Sequence, residues 1–526
     1  MKRIIWLLSA ILLMVFMVAC GSTSGESSSN SADGDDKEVV EGGTIEVAYP
    51  TQPQTLDPHG ATAEATRDAS RLIYEALVTL DEDYQVIPEL AESFEVNDDN
   101  TEVTFELREG VKFHNGDEMK AEDVVASMGK WSEHKSFLDD HEWEIEDDYN
   151  LKLKLEEPSA LIMFFLADQG NKAVIMPKDV AEDSDDDEEK GAHEYIGTGP
   201  FEFIEWKQDD HIKFEKYEEY SPRTEEASGL GGEKEVLVDE INWSFVPDSS
   251  TRVNGLMSGE YDFSHMIDYD AIPQLEGNSD VTVDVWPYGI EGLVFNKKEG
   301  LFKEEKARQA VNYALDMDSI MSSAFTGEDY YTLNPSLFLE DQVDWYTDAG
   351  KEHFNQKDAD KAKDLLDEAG YDGEEIVILT SKDYSHHYNA AVATQQLLEE
   401  IGMNVKLDVY DWPTLLERRD DPSAYDMFYT GFSVVSTPHQ YVFLDSSTEW
   451  AGWTDDEDMD KLLSEIKKSD DQEEAKELYS ELQEIYWERV PVINTGENSR
   501  VSAYSNNLDG YTEMLGPIFW NVSIKE

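Results

Sequence analysis

Within residues 358–410 the apolar spacing alternates between two periods. Residues 358–370 and 386–402 follow a helical period, and each ends in a glycine suited to a helix C-cap. Residues 375–380 and 404–410 read as strands between and after them. Helix and strand in strict alternation predict α/β layering, and nothing else in the chain constrains its fold as tightly. The remainder is consistent with this. Residues 44–49, 101–107 and 150–155 alternate as half-buried strands do. Residues 65–77 and 304–325 read as helices, and 458–487 as two amphipathic helices broken near Asp470 and Asp471. No internal repeat interrupts the pattern.

Length and charge bound what such a fold can do. A chain of 526 residues has room for about three domains. Its 117 acidic side chains face 41 basic ones, a formal net charge of −76. That field repels phosphate backbones and anionic headgroups, which argues against a nucleic-acid partner. The charge is spread along the whole chain and predicts a solvated acidic surface of the kind that suits high salt. The acidic run at 183–189 reads as a solvated loop, without the spaced carboxylates and central glycine of a calcium loop.

The N-terminus reads as an address. Lys2 and Arg3 precede an apolar run over 4–19 that is short for a membrane span and fits a signal peptide. Met17-Val18-Ala19-Cys20 resembles a bacterial lipobox, with methionine where leucine is usual. Cys20 is the only cysteine, so no intrachain disulfide or cysteine zinc cluster can form, and it is the expected lipidation site. Residues 20–42 are rich in Ser, Gly, Asp and Glu and predict a flexible tether.

Catalytic motifs are missing from the sequence. There is no G-x-S-x-G elbow, and neither His141-Glu142 nor His193-Glu194 is followed by the second histidine of a zinc protease. Gly197-Thr198-Gly199 lacks the third glycine of a dinucleotide loop, and Gly229-Leu230-Gly231-Gly232 lacks the Lys-Ser/Thr of a P-loop. His386-His387 is the best metal candidate, but adjacent helical residues point about 100° apart, so the expectation is no metal and no cofactor.

An ordered set of segments resembles the solute-binding proteins of the oligopeptide/dipeptide/nickel ABC importers, family 5. Leu56-Asp57-Pro58, Pro88-Glu89-Leu90-Ala91 and the run from Thr104 through Leu107-Arg108-Glu109-Gly110 to Gly116 come first. Gly197-Thr198-Gly199-Pro200-Phe201, Phe295-Asn296, Ala307-Arg308-Gln309-Ala310-Val311 and Ala369-Gly370-Tyr371 follow. The resemblance implies a two-lobed periplasmic-binding-protein-like α/β fold with a hinge and an extra domain inserted in the first lobe. Lobe one would comprise 43–77, 198–297 and 496–526, the inserted domain 78–197, and lobe two 298–495, behind a signal peptide at 1–19. It implies no enzyme, with a secreted hydrolase as a remote alternative. The role implied is capture of peptides by hinge closure and delivery to the permease and ATPase subunits of an importer, from a lipid-anchored position outside the cell membrane or in the periplasmic space. The same role with an oligosaccharide or a nickel chelate is the alternative.

The resemblance also nominates ligand-facing positions: Trp412, Phe432, His386, Trp453, Tyr288, Thr62 and Glu64. Peptide binders of the family carry a W-x-x-D segment whose aspartate meets the peptide's α-amino group. Here the matching stretch runs Phe432-Ser433-Val434-Val435, so valine stands at that position, and Asp426 and Asp445 are the candidate substitutes.

Overall fold

The computed structural model describes residues 39–40, 42–61, 63–132, 141–170, 172–182, 195–469 and 471–525. The signal peptide, Cys20, nearly all of the tether, Thr62, the 183–189 run and His193-Glu194 lie outside the described residues. No described helix is long and apolar enough to cross a membrane.

The α/β expectation holds. Eleven strands form one sheet among the described residues, and two long strands join its halves. One half contains Thr44–Tyr49, Glu240–Phe245, Phe263–Ser264, His211–Lys216 and Phe201–Lys207. The other contains Met427–Ser433, Glu375–Ser381 and Asn404–Tyr410, and the short strand Tyr331–Thr332 pairs off this path with Val492–Ser505. Between them Val281–Phe295 and Val492–Ser505 pair antiparallel along nearly their whole length. Their register shifts between Pro287 and Gly289 and again between Glu291 and Gly292. Bulges of this kind bend a strand, and here they fall where the strand passes from one half of the sheet to the other. A Cβ on Gly289 would sit 2.0 Å from the carbonyl oxygen of Phe432, so only glycine permits this crossing.

A separate antiparallel sheet of Ala91–Val96, Glu102–Leu107, Asn150–Leu155 and His141–Ile145 stands outside the main one. The helix Ala121–Ser132 belongs to the same region and buries Val124, Met128 and Trp131 in its core. The alternation of residues 101–107 thus reflects one buried and one wet face.

Two helices differ from the reading of the sequence. The one expected over 65–77 stops early, at Glu64–Ser70. The carbonyls of Leu72 and Ile73 instead accept from the Phe201 and Gly199 amides at 3.0 and 2.8 Å. A Cβ on Gly199 would lie 2.6 Å from Ile73 C. The Gly197-Thr198-Gly199-Pro200 motif is therefore a close-packing device. The helix expected over 304–325 is two, Glu305–Ala314 and Met317–Phe325, because Asp316 caps the second through the Ser319 amide. The break near Asp470 and Asp471 has the same cause, Asp471 accepting from the Glu473 and Glu474 amides.

Candidate functional site

The two long strands set the floor of the site. On Val281–Phe295 lie Trp286, Tyr288 and Glu291; opposite Trp286 on Val492–Ser505 lies Arg500. The helix Glu64–Ser70 adds Glu64 and Arg67, the residue after the strand Phe263–Ser264 is His265, and the segment 513–516 adds Glu513, Leu515 and Gly516. Ser433, at the end of the strand Met427–Ser433, completes a narrow cavity. Arg71 ties the C-terminal segment in place by donating to the Leu515 carbonyl at 2.7 Å and to the Met514 and Gly516 carbonyls at 3.1 Å.

The charges on this wall are not equivalent. Arg67 is neutralised in advance, its Nε 2.8 Å from Asp68 and a terminal nitrogen 3.9 Å from Glu64. Asp68 also accepts the Tyr49 hydroxyl at 2.7 Å. Arg500 has no such partner: its guanidinium lies 3.6 Å from the centroid of the Tyr288 ring and forms no ion pair with a carboxylate among the described residues. Burial pushes the Tyr288 phenol up to about 12. Burial also lowers His265, stacked on Tyr49 at 5.0 Å, to about 4, and raises Glu513 to about 7. The 4.0 Å approach of His265 to Glu513 is therefore a contact of two neutral groups near pH 6.

An aromatic cluster adjoins the cavity at the start of the helix Ser385–Glu400. His387 stacks on Trp412 at 5.6 Å, Tyr384 meets Trp412 edge-on at 4.9 Å, and His386 stacks on Phe325 at 5.4 Å. Burial first, then His387 and Arg500, hold the His386 imidazole well below its usual range. His387 Nδ1 lies 2.6 Å from Glu291 Oε1, and Asn498 donates to the other oxygen at 3.2 Å. The ligand atoms of Glu291, His386 and His387 all lie within 4.8 Å of one another, so this is the donor set that could hold a metal. Adjacency on one helix is offset here by the third group, contributed by the strand. Gly431 leaves the space between these groups and Tyr288: a Cβ there would stand 3.6 Å from Tyr288 and 3.8 Å from Glu291 and His387.

Of the positions nominated from the sequence, Glu64 and Tyr288 line the cavity, and His386 and half-buried Trp412 stand in the adjoining cluster. Phe432 packs elsewhere, against Phe443 at 4.7 Å and Trp450 at 5.6 Å. Trp453 lies past the end of the long strand, stacked on Tyr425 at 6.2 Å beneath Lys298. Neither candidate aspartate is among the cavity residues. Asp426 accepts from the Val377 amide at 2.8 Å, and Asp445 caps the turn Ser446–Thr448. Arg500, Trp286, Glu291 and Tyr384 were not singled out from the sequence. The alternation Val281-Thr282-Val283-Asp284-Val285 was the available signal for the strand that carries two of them.

A family model described as bacterial extracellular solute-binding proteins, family 5, matches residues 85–455. A probable peptide ABC transporter periplasmic-binding protein, y4tO of Sinorhizobium fredii, is 29% identical over 494 residues, 89% of this chain and 91% of that protein. The oligopeptide-binding protein AppA of Bacillus subtilis is 27% identical, with 97% of this chain and 96% of that protein covered. Among solved structures, AgaA with agropinic acid, from A. tumefaciens R10, superposes with a TM-score of 0.76 at 26% identity, covering 92% of this chain and 99% of that one. DppA of Helicobacter pylori with the peptide STSA gives 0.77 at 24% identity, covering 93% and 99%.

Proposed function

The chain belongs to the bacterial extracellular solute-binding proteins of family 5, and from that membership we propose that it captures peptides outside the cell membrane and hands them to an ABC importer. It is a binding protein, not an enzyme. The observation that carries the reading is the cavity at the crossing strands. Two strands joining the lobes hold Trp286, Tyr288 and Arg500, while the lobes on either side contribute Glu64 and Ser433. A solute held by both lobes stabilises the closed arrangement by the difference in its affinity for closed and open forms. The relatives y4tO and AppA are named for peptides, and that supports a peptide here.

In this reading residues 1–19 direct export, Cys20 takes a lipid, and residues 20–42 tether a body whose first lobe is 43–77, 198–297 and 496–526. Residues 78–197 form the inserted domain and 298–495 the second lobe. Permease and ATPase subunits are the partners, and the acidic surface suits a salty exterior. Trp412, His386, Tyr288 and Glu64 are the ligand-facing residues we retain from the nominated set. Without an aspartate at Val435, half-buried Glu64 is the carboxylate best placed on the cavity for a peptide's α-amino group. The missing aspartate also favours a second reading, the same role with a non-peptide solute.

A thermal-shift series with di- to pentapeptides tests the proposal. A bound peptide raises the melting temperature with the logarithm of its excess over Kd. Stabilisation by sugars or nickel–histidine and by no peptide supports the second reading instead.

A further inference from the structure

The cavity at the crossing strands carries hydrogen-bond donors with nothing to donate to. Among buried polar side-chain atoms without a partner, three belong to residues of this one wall: Arg500 Nε, Trp286 Nε1 and His265 Nε2. The other ring nitrogen of His265 lies 3.2 Å from the Ser502 hydroxyl. Arg71, Arg252 and Arg419 also leave Nε without a partner, but the terminal nitrogens of Arg71 and Arg252 donate to backbone carbonyls. Arg252 donates to the Val246 and Met266 carbonyls at 2.8 and 2.7 Å, and Arg308 to the Phe302 and Arg489 carbonyls at 2.9 and 2.8 Å. Arg67 has Asp68. Arg500 has the tyrosines Tyr288 and Tyr269 as its polar neighbours and no carboxylate in ion-pair contact among the described residues, in a chain with 117 acidic side chains to choose from.

We infer that this wall is a carboxylate-binding subsite in which Arg500 is the charged anchor and Trp286 and His265 supply further donors. A guanidinium binds a carboxylate through two parallel hydrogen bonds, and an indole N–H can only donate. A buried cation left unpaired is costly, so closing the lobes over Arg500 without an anion is disfavoured, and an anionic ligand removes that cost. The subsite therefore couples ligand charge to closure. It rests on the solute-binding reading and narrows it to ligands bearing a carboxylate, which can be a peptide's C-terminus or an acidic side chain.

Calorimetric titration of the purified protein with tri-alanine, its C-terminal amide, Ala-Glu-Ala amide and glutarate separates these sources. Arg500→Gln, Arg500→Lys and Trp286→Phe are titrated beside the wild type after their folding is checked by circular dichroism. The expected result is that at least one free-carboxylate probe binds, that Arg500→Gln weakens it about 100-fold, and that Trp286→Phe weakens it less. Arg500→Lys retains charge but loses the fork and falls between. Binding of tri-alanine alone assigns the C-terminus; binding of Ala-Glu-Ala amide assigns a side chain. If only glutarate binds and depends on Arg500, the subsite stands and the peptide reading fails. Unchanged binding in Arg500→Gln, or no response to any carboxylate, overturns the subsite.

Discussion

His387 Nδ1 stands 2.6 Å from Glu291 Oε1, and this pair joins the first turn of the helix Ser385–Glu400 to the long strand Val281–Phe295. Glu291 is fully buried and its second oxygen is taken by Asn498. Glu291→Ala leaves the histidine and the asparagine without their acceptor. The expected loss is roughly 3–5 kcal/mol of unfolding free energy, the usual cost of breaking one side of a buried pair. Urea denaturation of the two proteins checks it, and an effect below about 1 kcal/mol would show that the pair is not structural.

Glu513 gives the fold a pH dependence of known sign. Its folded pKa, raised by burial to about 7, lies above that of an unfolded glutamate near 4.5. The group's contribution is fully present below the unfolded value and is lost as pH rises through the folded one. Between pH 5 and pH 8 the wild type loses about 2–3 kcal/mol from this source, and Glu513→Gln removes that loss. Denaturation midpoints of both proteins at the two pH values supply the test.

Gly199→Ala adds a methyl group 2.6 Å from the Ile73 and Leu72 backbone. Neither neighbour is the free end of a side chain, so the strand start at Phe201 must shift. A destabilisation of about 2–3 kcal/mol is expected. A melting temperature equal to the wild type's would mean that the motif is not set by packing.

Trp412 offers its ring to His387 and Tyr384 and remains half-buried beside the cavity. Trp412→Ala is expected to weaken ligand about 10- to 100-fold, as truncation of a large aromatic anchor does. Trp412→Phe should recover part of it. Calorimetry with a peptide found by thermal shift gives both values.

The sequence yielded most where a local rule decides the structure. The strand Asn404–Tyr410 and the break at Asp471 follow from alternation and capping, both visible within a few residues. The early end of Glu64–Ser70 was not visible, because it depends on the amides of Gly199 and Phe201, more than a hundred residues away. The site divides similarly. Tyr288, Glu64, His386 and Trp412, nominated by resemblance, lie on the cavity or in the cluster beside it. Arg500 was not nominated, since a lone arginine in a sequence shows neither its partner nor the lack of one. The same limit hid Glu291: His386-His387 is a poor chelating pair until a strand brings a carboxylate to it.

Native mass spectrometry of the purified protein, exchanged gently from high salt into volatile buffer, tests the central claim most directly. The account predicts protein carrying solutes whose masses are sums of amino-acid residues and whose release accompanies unfolding. A bound mass spaced by hexose units, or one belonging to a metal chelate, would contradict the peptide assignment.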